Sequence, residues 1–393
     1  MGLIARGLAR VWAISRREWQ LLTGRFLYLF CMIIAPLFSL FFFPSIMAEG
    51  LPHGLPAGVV DADGSAVSRS LIRNLEAMPQ TQLKSNYTSM EEARRAVQRG
   101  DIYGFYYIPR GFSRDLQGQR QPKVSFYVNY SYMVAGSLQF RDMKMLSELG
   151  AGSAARSQLY ARGASEGQAQ AWLQPIVIDA HPIGNPWVNY SVYLSNILIP
   201  GILGLLIMMV TVCSLGMELK QGESRAWLEM GADNMLIALV GKLLPHTIIF
   251  ALVGLSIDVY LYVYLGYPAA GGIWTMIGLM LMFVLASQGL GVLMFTILPT
   301  LRMGLSFASL WGMLSFSICG ASFPALGMPS LVASLSVLFP LRHYYLAYVT
   351  SGLDGFDISY ASTNIYSLFA FACLGLLALP RLHRIMLHHK YIP

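Results

Sequence analysis

The chain alternates long apolar runs with short polar breaks, and one long polar stretch interrupts this pattern early. The first run, residues 26–47 (FLYLFCMIIAPLFSLFFFPSIM), has 22 residues and no charge. As a helix it would extend about 33 Å, enough to cross the hydrocarbon of a bilayer. Further runs follow at about 192–214, 237–265, 273–298, 304–322 and 361–380. Pro36, Pro200, Pro245 and Pro299 punctuate them, which bilayer helices tolerate where neighbours re-satisfy the backbone. Ahead of the first run, Ile4, Leu8, Val11, Trp12, Trp19 and Leu22 recur at roughly helical spacing between Arg6, Arg10, Arg16 and Arg17. That pattern predicts an amphipathic helix lying at the membrane surface.

The interrupting polar stretch, residues 48–190, reads differently. Residues 56–61, 102–108 and 122–130 have the β-branched and aromatic content or the alternation of strands. Helical segments are expected at 65–77, at 89–98 behind a Ser89…Glu92 capping pattern, and over a long stretch at 132–173. The order strand, helix, helix, strand, helix, strand, helix predicts a small α/β domain. The fold class expected is therefore an α-helical polytopic membrane protein with six transmembrane helices and an inserted extracytoplasmic α/β domain.

Composition agrees. The 393 residues are 55% hydrophobic and 12% charged, about half the charge of an average soluble protein. Residues 50–186 hold 14 of the 27 Lys/Arg and 11 of the 20 Asp/Glu, so one ordinary water-solvated domain sits within a lipid-solvated chain. Cys31, Cys213, Cys319 and Cys373 all fall in apolar runs, which excludes a disulfide framework in the polar domain. The net charge of +7 is not a nucleic-acid footprint, because no basic stripe with interleaved aromatics occurs.

Charge also orients the spans. Arg6, Arg10, Arg16, Arg17 and Arg25 face Glu18 alone in residues 1–25, and Arg381, Arg384 and Lys390 mark residues 381–393. Both termini are expected to be cytoplasmic, which demands an even number of spans and places 48–190 outside. Residues 215–236 and 299–303 then lie inside.

Catalytic motifs are missing. The sequence has no HExxH, no metal-spaced His/Cys cluster and no GxSxG elbow, and Gly241-Lys242 is followed by Leu243-Leu244 and not by a hydroxyl residue. No cofactor is expected on this chain; ATP and magnesium would be held by a separate ATPase subunit. The expected docking surface is the acidic, amphipathic stretch carrying Glu218, Glu223, Arg225, Trp227 and Glu229. Asp258, the one carboxylate within an expected span, is a functional candidate by its cost, although its distance from the outer helix end suggests partial hydration.

Four ordered stretches resemble the permease subunits of ABC-2 type exporters, those with a large external domain between spans one and two. They are Arg16-Arg17-Glu18-Trp19 before span one; Val59-Val60-Asp61-Ala62-Asp63-Gly64-Ser65 with Ile108-Pro109-Arg110-Gly111-Phe112; Pro200-Gly201 with Glu218 to Lys242-Leu243-Leu244-Pro245; and Phe323-Pro324, Met328-Pro329 and Phe339-Pro340-Leu341-Arg342-His343. The chain departs from the family at Gln221–Ser224 (QGES), where Glu-x-Gly-Thr is usual. The resemblance implies a coupling helix that inserts into an ABC ATPase subunit, a second permease copy or paralogue, and two short helices over 323–345 dipping into the outer leaflet. It also points to a bacterial cytoplasmic membrane and an optional periplasmic adaptor; the candidate residues of a translocation path in this chain are Asp258, Phe323 and Phe339. A six-span secondary transporter and a membrane-embedded hydrolase are the alternatives. The first lacks internal repeats and paired midplane charges. The second has only Gly320-Ala321-Ser322-Phe323, with Phe where Gly belongs.

Overall fold

A computed structural model describes residues 3–118 and 120–389, leaving aside the side chains of Leu3 and Ile4. The expectations for Ile4 and Lys390 lie outside the described residues. The chain divides into two compact units, residues 1–48 with 182–393, and residues 49–181.

Helix α1 (Leu3–Gly24) is a single amphipathic helix that stops where Arg25 turns extended at φ −125°. A continuous helix then covers Phe26–Ile46. It comprises α2 (Phe26–Leu29), a π-helical turn at Phe30–Ile34 and α3 (Ala35–Ile46). The wide turn lies immediately before Pro36, which lacks the N–H that a regular helix would use there.

The 49–181 unit is a four-stranded sheet with helices on both faces. In chain order it runs β1 (Leu55–Asp61), α4 (Ala66–Glu76), β2 (Thr81–Asn86), α5 (Met90–Arg99), β3 (Gly104–Ile108), α6 (Phe112–Gln117), β4 (Ser125–Val128), α7 (Met133–Ala161) and α8 (Glu166–Leu173). The strand order is β2-β1-β3-β4, with β1 parallel to β2 and β3 and β4 antiparallel to β3. The central strand β1 is apolar on both sides, as two-sided burial requires. Ala57 and Val59 pack with Leu75, Met143 and Leu146 on the face of α4 and α7. Val60 packs with Ala93, Ala96 and Phe105 on the face of α5.

The Ser89 cap forms, accepting the Glu92 N–H at 3.2 Å. The Glu92 carboxylate accepts from the N–H and hydroxyl of Thr88, at 3.0 and 2.8 Å. Two differences from expectation stand out. Strand β2 was not anticipated, and the long 132–173 helix is broken after Ala161, where Gly163 takes φ +85° and Ser165 caps α8.

The rest of the first unit is helical. Asn189 caps α9 (Tyr190–Gln221), accepting from the N–H groups of Ser191 and Val192, and Gly222 ends it at φ +73°. The short α10 (Ser224–Met230) precedes α11 (Met235–Asp258), whose helix continues through a π-helical stretch, Val259–Tyr264. Next come α12 (Ile273–Ile297), α13 (Leu301–Ile318), a 3-10 turn at Ala325–Gly327, α14 (Ser330–Ser336), and α15 (Pro340–Tyr348), which runs into a π-helical turn at Val349–Leu353. The 3-10 turn Ile358–Ala361, α16 (Ser362–Leu377) and α17 (Leu379–His388) close the chain.

Among the described residues, five helical stretches are long and apolar enough to cross a membrane: Phe26–Ile46, Tyr190–Gln221, Met235–Tyr264, Ile273–Ile297 and Ile358–His388. The sixth expected run is α13, 18 residues long and diluted by Arg302 and several serines and glycines.

Helix α12 occupies the middle of this unit, against α16, α9 and α11, while α13 lies along α9 and α1 along α11. The α12–α16 seam is backbone against backbone. A Cβ on Gly289 would lie 2.6 Å from the Ala372 carbonyl oxygen, and one on Gly375 would lie 3.3 Å from the Gly289 Cα. Small residues at such seams let helices approach closely when lipid provides no hydrophobic drive between them.

Candidate functional site

Helix α1 turns Ile14, Ser15, Glu18 and Leu22 inward against α11 and leaves Leu8, Trp12 and Trp19 exposed. The Ser15 hydroxyl donates to the Gly241 carbonyl at 2.7 Å. A Cβ at Gly241 would stand 2.8 Å from the Ile14 Cβ, so the two helices meet where glycine allows. This divides the apolar stripe read from the sequence: Leu22 packs inward while Leu8, Trp12 and Trp19 face out. The inward face carries Glu18, which charge counting had treated as a lone acid among arginines.

Glu18 is the hub of a buried ion cluster. Its Oε2 accepts from Lys242 Nζ at 2.7 Å. Its Oε1 accepts from the Ser214 hydroxyl and from His246 Nε2, both at 2.9 Å. Lys242 Nζ also donates to Glu218 Oε1 at 2.7 Å. The Arg17 guanidinium grips both Glu218 oxygens, at 2.7 and 3.1 Å, and its Nη2 reaches Glu223 Oε2 at 2.6 Å. Glu18, Glu218, Lys242 and His246 are each at most 3% exposed. Lys242 Nζ also stands 5.5 Å from the centre of the Trp227 ring, a cation–π distance.

The arithmetic of this cluster is balanced: Arg17 and Lys242 offset Glu18 and Glu218. Burying Glu18, Glu218 and Lys242 beside the half-buried Arg17 is affordable only with such pairing, and removing one leaves another stranded. Burial pushes the Glu18 carboxyl upward, but the hydrogen bond from His246 and the charge on Lys242 outweigh it and hold Glu18 well below the usual carboxylate range. Burial works against the Arg17 charge, and the bonds to Glu218 and Glu223 overcome it and raise Arg17.

The five expected docking residues separate into two sets. Glu218 is consumed by the cluster, and Trp227 is fully buried with Leu228, anchoring α10. Neither presents a surface for a partner. Glu223, Arg225 and Glu229 remain exposed. Helix α17 clasps this segment: Ser224 Oγ donates to the Met386 carbonyl at 2.8 Å, Arg225 Nη2 to the Leu387 carbonyl at 3.4 Å, and His383 Nε2 meets Asp233 Oδ1 at 3.1 Å.

The three expected path residues occupy separate environments. Asp258 is 1% exposed, and neither carboxyl oxygen has a hydrogen-bond partner among the described residues. Asp258 is thus buried where partial exposure was expected, because neighbouring helices close over this face of α11. One turn before Asp258, a Cβ at Gly254 would meet Met280 of α12. One turn after it, the Tyr262 hydroxyl donates to Asn196 Oδ1 of α9 at 2.8 Å. Phe339 is buried and stacks on Trp311 at 4.6 Å, whereas Phe323 is 51% exposed after α13. Among the described residues no group of three or more His, Cys, Asp or Glu is placed to hold a metal ion.

The cluster was missed because its members are spread along some 230 positions of sequence. A usable signal existed: Ser214 and Glu218, and Lys242 and His246, are polar i,i+4 pairs, each on one face of an otherwise apolar helix.

The family described as ABC-2 family transporter protein matches residues 26–379. No curated protein matches the chain. A bundle of long apolar helices and a family match over most of its length lead to one conclusion: this multi-pass membrane protein belongs to the ABC-2 family of transporter proteins.

Proposed function

We propose that the chain is the permease subunit of an ATP-driven exporter, with six spans, α13 being the fifth, and with 49–181 as an extracytoplasmic domain. Both termini, α1, α10 and α17 then lie on the cytoplasmic side of a bacterial inner membrane. The chain performs no chemistry itself; a separate ABC ATPase subunit holds ATP and magnesium. Two permeases, identical or paralogous, enclose the path between them. The cargo is hydrophobic or amphipathic, in keeping with Leu-, Met- and Phe-rich helices.

The observation that carries this reading is α10. It is a seven-residue helix pinned from beneath by Trp227 and Leu228, with Glu223, Arg225 and Glu229 facing out. It joins the two helices that supply Glu218 and Lys242, so force on α10 reaches both of them through a rigid, charged joint. A mobile loop would dissipate it.

The test is co-purification of an ATPase with the tagged chain, followed by ATP hydrolysis. Glu223→Lys with Glu229→Lys should release or uncouple the ATPase while the protein still inserts. Glu91→Lys with Glu92→Lys, in the 49–181 unit, should not. Equal retention and equal hydrolysis in the two variants would defeat the assignment of α10.

A further inference from the structure

We infer that Glu223 is the docking carboxylate for a cationic side chain of the ATPase, and that Arg17 competes for it from within the chain. The inference rests on α10 being the coupling helix. Arg17 is the one member of the ion cluster that faces both ways. It binds buried Glu218 through two nitrogens and lends one of these, Nη2, to Glu223. Glu218 is 3% exposed and is also held by Lys242, so it stays where it is. The Glu223 side chain is 50% exposed, at the head of α10, and makes no capping bond to that helix. Its described ion pair is therefore with Arg17 alone, at a distance short enough to be strong and an exposure high enough to be exchanged.

The geometry makes the exchange inexpensive. When an incoming Lys or Arg takes Glu223, Arg17 gives up one bond of three and keeps both contacts with Glu218. No buried charge is stranded by the change. The partner must be cationic at this point, because Glu223 can only accept. The competing arm comes from α1, the helix that leads into the first apolar run. Docking thus loosens α1 from α10 by one bond, while α1 remains fixed to α9 and α11 through Glu218, Glu18 and Lys242.

The experiment measures the affinity of the co-purified ATPase for the full chain in nanodiscs. Arg17→Lys keeps a cation on Glu218 but replaces the planar guanidinium fork with a shorter-reaching ammonium, which weakens the bond to Glu223. It should bind the ATPase about two- to fivefold tighter, the worth of a half-exposed ion pair. Glu223→Gln should bind more weakly, and Arg17→Lys added to Glu223→Gln should give no gain. The charge-balanced pair Arg17→Met with Glu218→Gln, which leaves Glu18 and Lys242 matched, should reproduce the tighter binding and serves if Arg17→Lys does not accumulate. Unchanged or weaker binding in both Arg17 variants overturns the competition, even where Glu229→Lys still releases the ATPase. If no change on α10 alters binding, the coupling assignment falls with it.

Discussion

Replacing Glu18 by Gln removes one negative charge and almost no volume, so it isolates the electrostatics of the cluster. Afterwards Lys242 is left with Glu218, which it shares with Arg17, and His246 and Ser214 lose an ionised acceptor. Breaking a buried pair by removing one partner typically costs about 3–5 kcal/mol. Lys242 keeps its second carboxylate, so the lower end, about 3 kcal/mol, is expected. A second route agrees: the fall of the Glu18 carboxyl from its ordinary 4.5 to about 2 corresponds to about 3 kcal/mol.

Because the folded-state value is depressed, this stabilisation is fully present above about pH 4.5 and is lost as pH falls toward 2. Glu18→Gln should lack that acid-dependent loss. Glu18→Gln with Lys242→Gln restores the balance around Arg17 and Glu218, so the double variant should be more stable than the sum of the singles by about 2 kcal/mol. Equilibrium unfolding in mild detergent, followed by tryptophan emission between pH 7 and 3, measures all of these. A single variant within about 1 kcal/mol of the parent, or a strictly additive double, would refute the reasoning.

Other expectations follow from the same geometry. Asp258→Asn keeps the shape of a buried, unpartnered group, so protein abundance should hold; unchanged transport in that variant would strip Asp258 of any role in the path. Gly289→Leu should separate α12 from α16 and cost several kcal/mol, since the obstruction is the Phe371 and Ala372 backbone; a near-neutral melting shift would contradict the seam. An introduced cysteine at Arg302 should resist external labelling in intact cells, and labelling there would break the six-span arrangement.

The lipid-facing helices were legible because a bilayer imposes a crude requirement: about 20 apolar residues in a row. Helix ends in the 49–181 unit were legible for a similarly local reason, as Ser89 shows. Strand β2 was not, since it is a sheet edge with Leu83 as its one large apolar side chain, and its alternation carries little signal. The inward turn of Trp227 and Glu218 was also hidden. An acidic amphipathic stretch looks the same whether its carboxylates meet solvent or a lysine from the next helix. Only the fold, which brings Lys242 beneath both Glu218 and Trp227, decides between them.

Helix α9 converts angles into distances. Its 32 residues extend about 48 Å, against about 30 Å of hydrocarbon, so several turns stand clear of the lipid. Pro200 breaks its ladder about a third of the way along, at the point where a long helix bends most readily. From that pivot the arm toward Gln221 is about 32 Å long, and a swing of 5° sweeps its tip through about 3 Å. At Glu218, about 27 Å from the pivot, the same swing moves the carboxylate about 2.4 Å, enough to carry it out of hydrogen-bond range of Arg17 and Lys242. The arm therefore cannot swing unless α1 and α11 travel with it or the cluster opens, and these charged contacts set the stiffness of the joint.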